Sequence, residues 1–357
     1  MKIGIMLPPK EKNNGGINRV AYNTLRNMEQ MSMPHELVML GEGYPNLSYP
    51  HIDLLPSYMQ MNHLSFTLSA HPMDLVHTYY HPIDFSDKIS CKRVMTIYDL
   101  YTIANPQWFS KTYIDFQDRI MRESALKADR IIAISEATKG DIVHYYGIPE
   151  EKIKVVYLGV PELFQKQVES KDFSCPDRYL LSVSAIAQNK NQAGLVEAFL
   201  VYKERHPEDD VKLVLVGAMR QPEEIVALLE KAGSCREDVL YTGYVSDEEL
   251  LQWYDRATAF AYPSFYEGFG LPILEAMTRK KAVISSNTTS MPEVGGDAVC
   301  YCDPARIESI TDAITKVLQD DGYRAELEKK AEVQAGKFSY ARAARETLAI
   351  YDELLLG

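Results

Sequence analysis

Residues 261–277, AYPSFYEGFGLPILEAM, carry the clearest structural pattern in the chain. The run Ala259–Tyr262 is short and apolar, as in a strand buried on both faces, and a proline ends it. Gly268 and Gly270 allow a tight turn of the backbone. Pro272 suits the first residue of a helix, where its missing N–H costs nothing. The stretch therefore predicts a strand, a tight turn and a helix.

The same alternation of short apolar runs and amphipathic segments extends along the whole chain. The predicted strands are Lys2–Leu7, Glu36–Leu40, Asp74–His77, Arg93–Tyr98, Arg130–Ile134, Lys154–Leu158, Tyr179–Ser184, Lys212–Val216, Val239–Thr242, Ala259–Tyr262 and Ala282–Ser285. The predicted helices include Val20–Met31, Ala193–Arg205, Glu223–Ala232 and Tyr340–Leu355. Ser246 followed by Glu249 is a capping box and marks one more helix start. This order favours an α/β fold with parallel sheets and right-handed crossovers.

The chain of 357 residues is long enough for two domains. Between Val160 and Pro176 the sequence becomes polar, contains two prolines and has no clear period. We interpret this part as the linker between two doubly wound α/β domains. We expect the first domain at residues 1–162, the linker at 163–175 and the second domain at 176–339.

Composition excludes several classes of protein. With 46% hydrophobic and 25% charged residues, the chain is globular rather than disordered or fibrous. Its net charge is -12, whereas a protein that coats nucleic acid is usually basic. We therefore expect no nucleic-acid partner, although a local positive site for a small anion is still compatible with this charge.

Neither the start of the chain nor its hydropathy indicates export or membrane insertion. MKIGIMLPP lacks the features of a signal peptide, and no apolar run reaches the roughly 18 residues of a membrane-spanning helix. The amphipathic stretch Tyr113–Ala128 is close to neutral, which predicts at most weak peripheral membrane contact. Cys300 and Cys302 have neither metal-ligand nor redox spacing and are interpreted as small buried apolar residues. We expect a cytoplasmic protein in a reducing compartment.

The strand–turn–helix at 261–277 also predicts a binding site. Ligands of open parallel sheets bind beyond the carboxyl ends of the strands, and two such sheets facing each other would form a cleft. The helix start near Pro272 would offer N–H groups and a positive dipole end to an anion. Glu267 and Glu275 would then accept hydrogen bonds from neutral hydroxyl groups on either side, as a nucleotide sugar requires. For either glutamate alone, a surface turn with an acidic helix start is the simpler interpretation.

Two more segments follow strands and could contact a phosphate. Lys190, in the stretch AQNKN, can add positive charge to the same cleft, and a solvated lysine at a turn is the alternative. Gly15 and Gly16, in the stretch NNGGINRV, precede a predicted helix and would let the main chain approach a phosphate. A plain tight turn explains these two glycines equally well.

Several common cofactor and metal patterns are absent from the sequence. There is no dinucleotide-binding fingerprint, no P-loop and no Asp-x-Asp. His77 and His81 are four residues apart, but no carboxylate pattern supports a metal site there. We therefore expect no metal ion and no cofactor, and a dehydrogenase is disfavoured.

Together these residues resemble the GT-B glycosyltransferases of family 4, a large retaining group that uses nucleotide sugars. The most specific element is the E-x7-E pattern formed by Glu267 and Glu275. The supporting pieces occur in the family's order: the glycine pair at 15–16, ADRIIAISEATKGDI at 128–142, KIKVVYLGV at 152–160, GYVSDEEL at 243–250 and MPEVGGDA at 291–298. The resemblance covers nearly the whole chain.

The resemblance implies the GT-B fold, in which two Rossmann-like domains with parallel sheets face a central cleft. The second domain would bind most of the donor, and the C-terminal helix at 340–357 would pack back on the first domain. Glu275 would bind the ribose hydroxyls and Glu267 the hydroxyls of the transferred sugar. The groups around the diphosphate would be Lys190, the amides near Phe269, Gly270 and Leu271, and the glycine pair Gly15 and Gly16.

Two positions depart from the family pattern. Tyr98-Asp99 occurs where the family usually has His-Asp, and Asn189-Lys190 occurs where it often has Arg-Lys. The first change removes a histidine that lies near the reacting sugar in the family. The second removes one positive charge at the diphosphate. We place Asp99 with Glu267 and Lys190 among the candidate catalytic residues.

The resemblance implies an enzyme, a metal-independent retaining hexosyltransferase. It would transfer a hexose from a nucleoside diphosphate sugar to a hydroxyl of a saccharide or lipid-linked acceptor, in surface polysaccharide or glycan assembly. The alternative is a catalytically silent binding or scaffold subunit, which Tyr98 and Asn189 suggest and the intact glutamate pair opposes. An epimerase or a phosphorylase on the same architecture is a third interpretation, with no cofactor-lysine context to support it.

Overall fold

The computed structural model of the protein describes residues 1–7, 15–41, 47–52, 68–79, 89–167, 173–218 and 223–357. These residues form two compact units. The first unit contains Met1–Gly159 together with Ser339–Gly357, and the second contains Val160–Phe338. In sequence, the second unit is therefore inserted between the body of the first unit and its last helix.

The first unit contains a parallel sheet with seven strands in the described residues. These strands are β1 (Lys2–Met6), β2 (Glu36–Leu40), β3 (His51–Ile52), β4 (Leu75–Thr78), β5 (Lys92–Ile97), β6 (Arg130–Ala133) and β7 (Ile153–Val155). Their order across the sheet is β3-β2-β1-β4-β5-β6-β7, and all neighbouring pairs are parallel. The order reverses direction beside β1, and such a reversal is where open sheets bind ligands.

The second unit contains a parallel sheet with six strands in its described part. These strands are β8 (Tyr179–Val183), β9 (Lys212–Val216), β10 (Val239–Gly243), β11 (Ala259–Tyr262), β12 (Val283–Ser286) and β13 (Val299–Cys302). Their order is β10-β9-β8-β11-β12-β13, again with parallel pairs only. The central pair β8 and β11 is buried on both faces, which explains their continuous apolar sequences.

Helices connect the strands in both units. The α-helices are α1 (Gly15–Glu29), α2 (Tyr101–Ala104), α3 (Lys111–Lys127), α4 (Glu136–Tyr146), α5 (Gln192–Arg205), α6 (Glu223–Lys231), α7 (Asp247–Arg256), α8 (Leu271–Thr278), α9 (Met291–Gly295), α10 (Ile307–Gln319), α11 (Asp321–Ala335) and α12 (Tyr340–Leu356). Short 3-10 helices lie at Pro106–Trp108, Glu150–Lys152, Glu162–Gln165, Gln188–Lys190 and Gly233–Asp238. Within the described ranges, no helix is both long and apolar enough to cross a membrane.

The α/β prediction is confirmed, and every strand predicted from the sequence is present with small shifts at its ends. The capping box of Ser246 and Glu249 starts α7 as predicted. The sequence did not predict β3 or β13. The first is only two residues long, and the second follows the five-residue helix α9 instead of a long amphipathic segment. Cys300 and Cys302 are buried on β13, which confirms their interpretation as apolar residues.

The start of the predicted linker is part of the second unit. Residues Glu162–Gln165 form a 3-10 helix, and the ring of Phe164 packs edge-on against Tyr254 with 5.6 Å between centroids. The guanidinium of Arg279 donates hydrogen bonds to the carbonyls of Phe164 and Lys166. Residues 168–172 of that predicted linker lie outside the described residues.

The C-terminal helix α12 packs against α1 in the first unit. The main chain enters α12 directly beside Gly159, where a β-carbon would lie 2.1 Å from the amide nitrogen of Tyr340 and 2.4 Å from the carbonyl carbon of Ser339. A side chain at residue 159 would therefore overlap main-chain atoms. Gly159 is the last residue of the first unit before the second unit, and Ser339 is the first residue after it. The two ends of the inserted unit therefore meet at this close contact.

The side chain of His77 on β4 ties the sheet of the first unit to α12. Its Nδ1 is hydrogen-bonded to the hydroxyl of Tyr351 and its Nε2 to the hydroxyl of Thr96, at 2.8 Å. The ring of Tyr79 lies 4.2 Å from the histidine ring. Complete burial lowers the pKa of His77 from 6.5 to about 3, because the charged imidazolium would lose its water.

We predict that the first unit loses stability between pH 6.5 and pH 3. The unfolded chain binds a proton near pH 6.5, whereas the folded protein does so only near pH 3. The contribution of neutral His77 is therefore complete above pH 6.5, and about 2 kcal/mol of it is lost on lowering the pH to 5. Urea denaturation at pH 7.5 and pH 5 measures this difference. The variant His77→Gln should show a clearly shallower dependence on pH, and an unchanged dependence would contradict the assignment.

Candidate active site

The main chain turns from β11 into α8 at Gly270. This residue has φ 98°, in the left-handed region that favours glycine. The sequence predicted Pro272 as the first residue of the helix. Helix α8 begins one residue earlier, at Leu271, so Pro272 is its second residue. The amides of Ile273 and Leu274 donate to the carbonyl of Gly270. The predicted strand, turn and helix are confirmed, and the amino end of α8 follows the carboxyl end of β11.

The carboxylate of Glu267 lies in the turn between β11 and α8 and is only 11% exposed. The ammonium of Lys190 donates to both of its oxygens, at 2.6 and 2.7 Å. The hydroxyls of Tyr262 and Ser264 lie 2.8 and 2.7 Å from Oε1. These donors replace water around the carboxylate.

The carboxylate of Glu275, on α8, is buried and accepts a hydrogen bond of 3.0 Å from the hydroxyl of Tyr254. The ring of Tyr254 lies next to that of Phe260, with centroids 5.5 Å apart, and Phe260 stacks on Tyr262 at 6.1 Å. The three buried rings form a row. At one end the hydroxyl of Tyr254 binds Glu275, and at the other end the hydroxyl of Tyr262 binds Glu267. We call Tyr254, Phe260 and Tyr262 the ring row.

Both glutamates act on the phenol of Tyr262. Its pKa is raised well above the ordinary value, first by burial, then by the charge and hydrogen bond of Glu267, and then by the charge of Glu275. The phenol therefore keeps its proton and remains a hydrogen-bond donor at physiological pH. The charges of both carboxylates therefore act on this hydroxyl.

The loop that follows β12 fixes the main chain of Glu267. The amide of Glu267 donates to the hydroxyl of Thr289 at 3.2 Å, and the hydroxyl of Ser290 donates to its carbonyl at 2.9 Å. Thr289 has φ 49°, which is rare for a β-branched residue. Backbone strain of this kind is characteristic of functional sites. The position of Glu267 is thus set by its main chain as well as by its side chain.

The 3-10 helix Gln188–Lys190 and Asn191 connect β8 to α5 beside this turn. The side-chain amide of Asn189, at the position where the family often has arginine, donates to the carbonyl of Tyr266 at 3.4 Å. The main-chain carbonyl of Asn189 accepts a hydrogen bond of 2.8 Å from the main-chain amide of Phe265. The amide of Asn191 donates to the carbonyl of Pro263. Lys190 is therefore placed against Glu267 by contacts between two loops.

Three candidate residues, Gly15, Gly16 and Asp99, belong to the first unit. The sequence predicted that Gly15 and Gly16 lie in the loop before a helix. Instead they are the first two residues of α1. Residues 8–14, which include the upstream part of that loop, lie outside the described residues. Asp99 follows β5, is exposed, and accepts a hydrogen bond of 3.0 Å from the amide of Tyr101.

No histidine, cysteine, aspartate and glutamate side chains group in threes or more around a potential metal position in the part of the chain that the structure describes. His77 is bound to Tyr351 and Thr96, and His81 lies outside the described residues. The groups predicted from the sequence to bind an anion are the ammonium of Lys190, which is bound to Glu267, and the amides near Phe269, Gly270 and Leu271.

Sequence reasoning did not find the residues that hold the glutamates. These are Tyr254, Tyr262, Ser264, Thr289 and Ser290. Tyr262 and Ser264 flank a proline in the quoted motif, but nothing in a single sequence shows that their hydroxyls reach Glu267. Their two hydroxyls come from the same strand and turn as Glu267, five and three residues away, whereas Thr289 and Ser290 reach it from a separate loop.

Two family models match the chain. Residues 14–162 match the model of Glycosyltransferase Family 4, and residues 164–334 match the model of Glycosyl transferases group 1. Together the two matches span most of the chain. The chain belongs to the group 1 glycosyltransferases and is a glycosyltransferase.

Two relatives from Escherichia coli are similar in sequence. The O-antigen chain mannosyltransferase B is 30% identical over 73% of this chain and 70% of that protein. The serotype-specific mannosyltransferase WbdA is 30% identical over 76% of this chain, and the match covers only 34% of that longer protein.

A solved structure extends the likeness over nearly the full chain. Anabaena HepE in complex with UDP-glucose superimposes with a TM-score of 0.73 at 18% identity, over 99% of this chain and 100% of that one. At this identity the likeness shows the GT-B fold alone.

We predict that Lys190→Ala lowers turnover on the order of 100-fold or more, because a preorganised positive charge near a leaving group contributes this much. Steady-state kinetics of sugar transfer measures the effect. Lys330→Ala is the matched control, since Lys330 forms an ion pair with Glu326 on the surface of the same unit. Turnover of Lys190→Ala near that of the control would contradict the assigned role.

Proposed function

We propose that the protein transfers a hexose, with mannose as the first candidate, from a nucleoside diphosphate sugar to a hydroxyl of a saccharide or lipid-linked acceptor. The reaction retains the anomeric configuration and serves polysaccharide assembly. The observation that carries the proposal is the Glu267 carboxylate, only 11% exposed, bound by Lys190 in the turn before α8. Similarity to two mannosyltransferases supports the choice of sugar.

In the proposed reaction, the bond between the anomeric carbon and the β-phosphate oxygen breaks, and a bond to the acceptor oxygen forms. The acceptor attacks from the leaving-group side, and its proton passes to a phosphate oxygen of the donor. Negative charge therefore develops on the departing diphosphate. Lys190 and the amides around Phe269, Gly270 and Leu271 stabilise that charge in the proposal. No covalent intermediate on Glu267 is required.

The two glutamates have different roles in the proposal. Glu267 accepts hydrogen bonds from the hydroxyls of the transferred sugar, and Glu275 accepts them from the ribose. Both carboxylates are largely withdrawn from water, which strengthens each bond to a neutral hydroxyl. The family resemblance also assigns Gly15 and Gly16 to the diphosphate and Asp99 to the catalytic residues, and both assignments stay predictions.

A catalytically silent binding subunit is the second candidate. The observation that favours it is Asn189, whose amide binds the carbonyl of Tyr266 at the position where the family often carries a diphosphate-binding arginine. Slow hydrolysis of a nucleotide sugar by the purified protein separates the two candidates. An enzyme releases free sugar in a reaction that Lys190→Ala abolishes, whereas a silent subunit binds the donor and leaves it intact.

We predict that a nucleotide sugar raises the midpoint of thermal unfolding of the protein. A ligand at 100 times its dissociation constant stabilises the folded state by about 2.7 kcal/mol, which shifts the midpoint of a unit this size by roughly 5 to 10 °C. A thermal-shift panel of GDP-mannose, UDP-glucose and the free diphosphates GDP and UDP measures the effect. The panel also identifies the base. No shift with any donor at millimolar concentration would reject the proposed function.

We predict that chelation leaves the transfer reaction unchanged, because a lysine and main-chain amides take the role that a divalent cation has in metal-dependent transferases. Initial rates with and without about 5 mM EDTA test this expectation. The protein is first dialysed against the chelator, so that a tightly bound ion has time to leave. A loss of activity that Mg²⁺ or Mn²⁺ restores would show that the reaction depends on a metal ion.

A further inference from the structure

The two oxygens of Glu267 have unequal surroundings. Oε1 lies within hydrogen-bond distance of Lys190, Tyr262 and Ser264, at 2.6, 2.8 and 2.7 Å. Within the described residues, Oε2 accepts a hydrogen bond from Lys190 alone, at 2.7 Å. Oε1 is therefore held by two hydroxyls as well as by Lys190, whereas Oε2 is held by Lys190.

The two hydroxyls that contact Oε1 are rigidly placed. Tyr262 lies on β11 and is 2% exposed, and Ser264 is fully buried. Ser264 also lies 2.7 Å from the carbonyl of Asn189, and it has one proton for these two acceptors. The charged carboxylate is the stronger acceptor of the two. Whereas the proton of Ser264 is shared between two acceptors, the hydroxyl of Tyr262 donates to Oε1 of Glu267, and among the described residues no second acceptor competes for its proton.

The proposed function gives Lys190 two anionic partners. The ammonium neutralises Glu267 in the structure, and it would bind the diphosphate of a donor. When its charge is shared with the diphosphate, Oε2 of Glu267 becomes available to the hydroxyls of the sugar. The terminal torsion of a glutamate has a broad energy profile, so the carboxylate would rotate unless other groups fix it.

We propose that Tyr262 and Ser264 are positioning residues. They fix Oε1 of Glu267 so that Oε2 faces the transferred sugar once the donor diphosphate engages Lys190. This inference rests on the proposed function. It predicts that the two hydroxyls contribute to recognition of the sugar and not to recognition of the diphosphate. Neither hydroxyl is bonded to the ammonium of Lys190, which lies over the ring of Tyr262 at 5.8 Å from its centroid, and Tyr262→Phe keeps that ring.

The test is Tyr262→Phe, which removes one oxygen atom and keeps the ring in the ring row. Isothermal titration with GDP and GDP-mannose, and with UDP and UDP-glucose, gives the gain in affinity that the sugar provides. We expect the affinity for the free diphosphate to stay within about 2-fold of wild type. The affinity gain from the sugar and the kcat of transfer should each fall about 10-fold, as for a lost hydrogen bond to a charged group.

Tyr179→Phe is the matched control. Tyr179 is a buried tyrosine of the same sheet, and its hydroxyl donates to the carbonyl of Trp253, away from Glu267. This control should behave as wild type with both kinds of ligand. Ser264→Ala is the second variant, and its effect on the sugar should have the same direction and a smaller size.

Equal losses for diphosphate and nucleotide sugar in Tyr262→Phe would overturn the inference, because they indicate a general structural effect. An unchanged gain from the sugar in both variants would overturn it as well. A different result would reject the proposed function itself: wild-type protein that binds neither the diphosphates nor the nucleotide sugars.

Discussion

The largely buried carboxylate of Glu267 is the constraint on which the candidate site of the second unit depends. An ionised carboxylate that is withdrawn from water is costly unless a cation and hydrogen-bond donors surround it. Three separate segments meet this requirement. The 3-10 helix after β8 brings Lys190, β11 and its following residues bring Tyr262 and Ser264, and the loop after β12 fixes the main chain. The parallel sheet makes this convergence possible, because the carboxyl ends of adjacent strands lie at one edge.

The two glutamates of the E-x7-E pattern are connected through the interior and not along the surface. The ring row links them, with Tyr254 at Glu275 and Tyr262 at Glu267. Close packing leaves such a row little freedom, so a shift at one end is transmitted to the other. Phe164 packs on the Tyr254 end. The polar chemistry of the site therefore relies on apolar packing behind it.

Sequence patterns predicted the architecture well because strands buried on both faces leave continuous apolar runs that are visible without a structure. They also predicted the turn at Gly270 and the helix after it, since glycine and proline act locally. They failed where length or tertiary contact decides. The two-residue strand β3 is too short to leave a pattern, and the glycine pair at Gly15 and Gly16 lies inside α1. Thr289 and Ser290 reach the main chain of Glu267 from a loop 22 and 23 residues away, and no local pattern encodes those contacts.

The passage of the main chain beside Gly159 has a consequence for biosynthesis. Translation completes the second unit before α12 exists, so a nascent chain can finish folding its middle before its beginning. Until α12 emerges from the ribosome, the histidine on β4 and the face of α1 lack the helix that covers them. The first unit thus waits longer than the second for its native environment, and during that interval these two surfaces are open to chaperones and proteases.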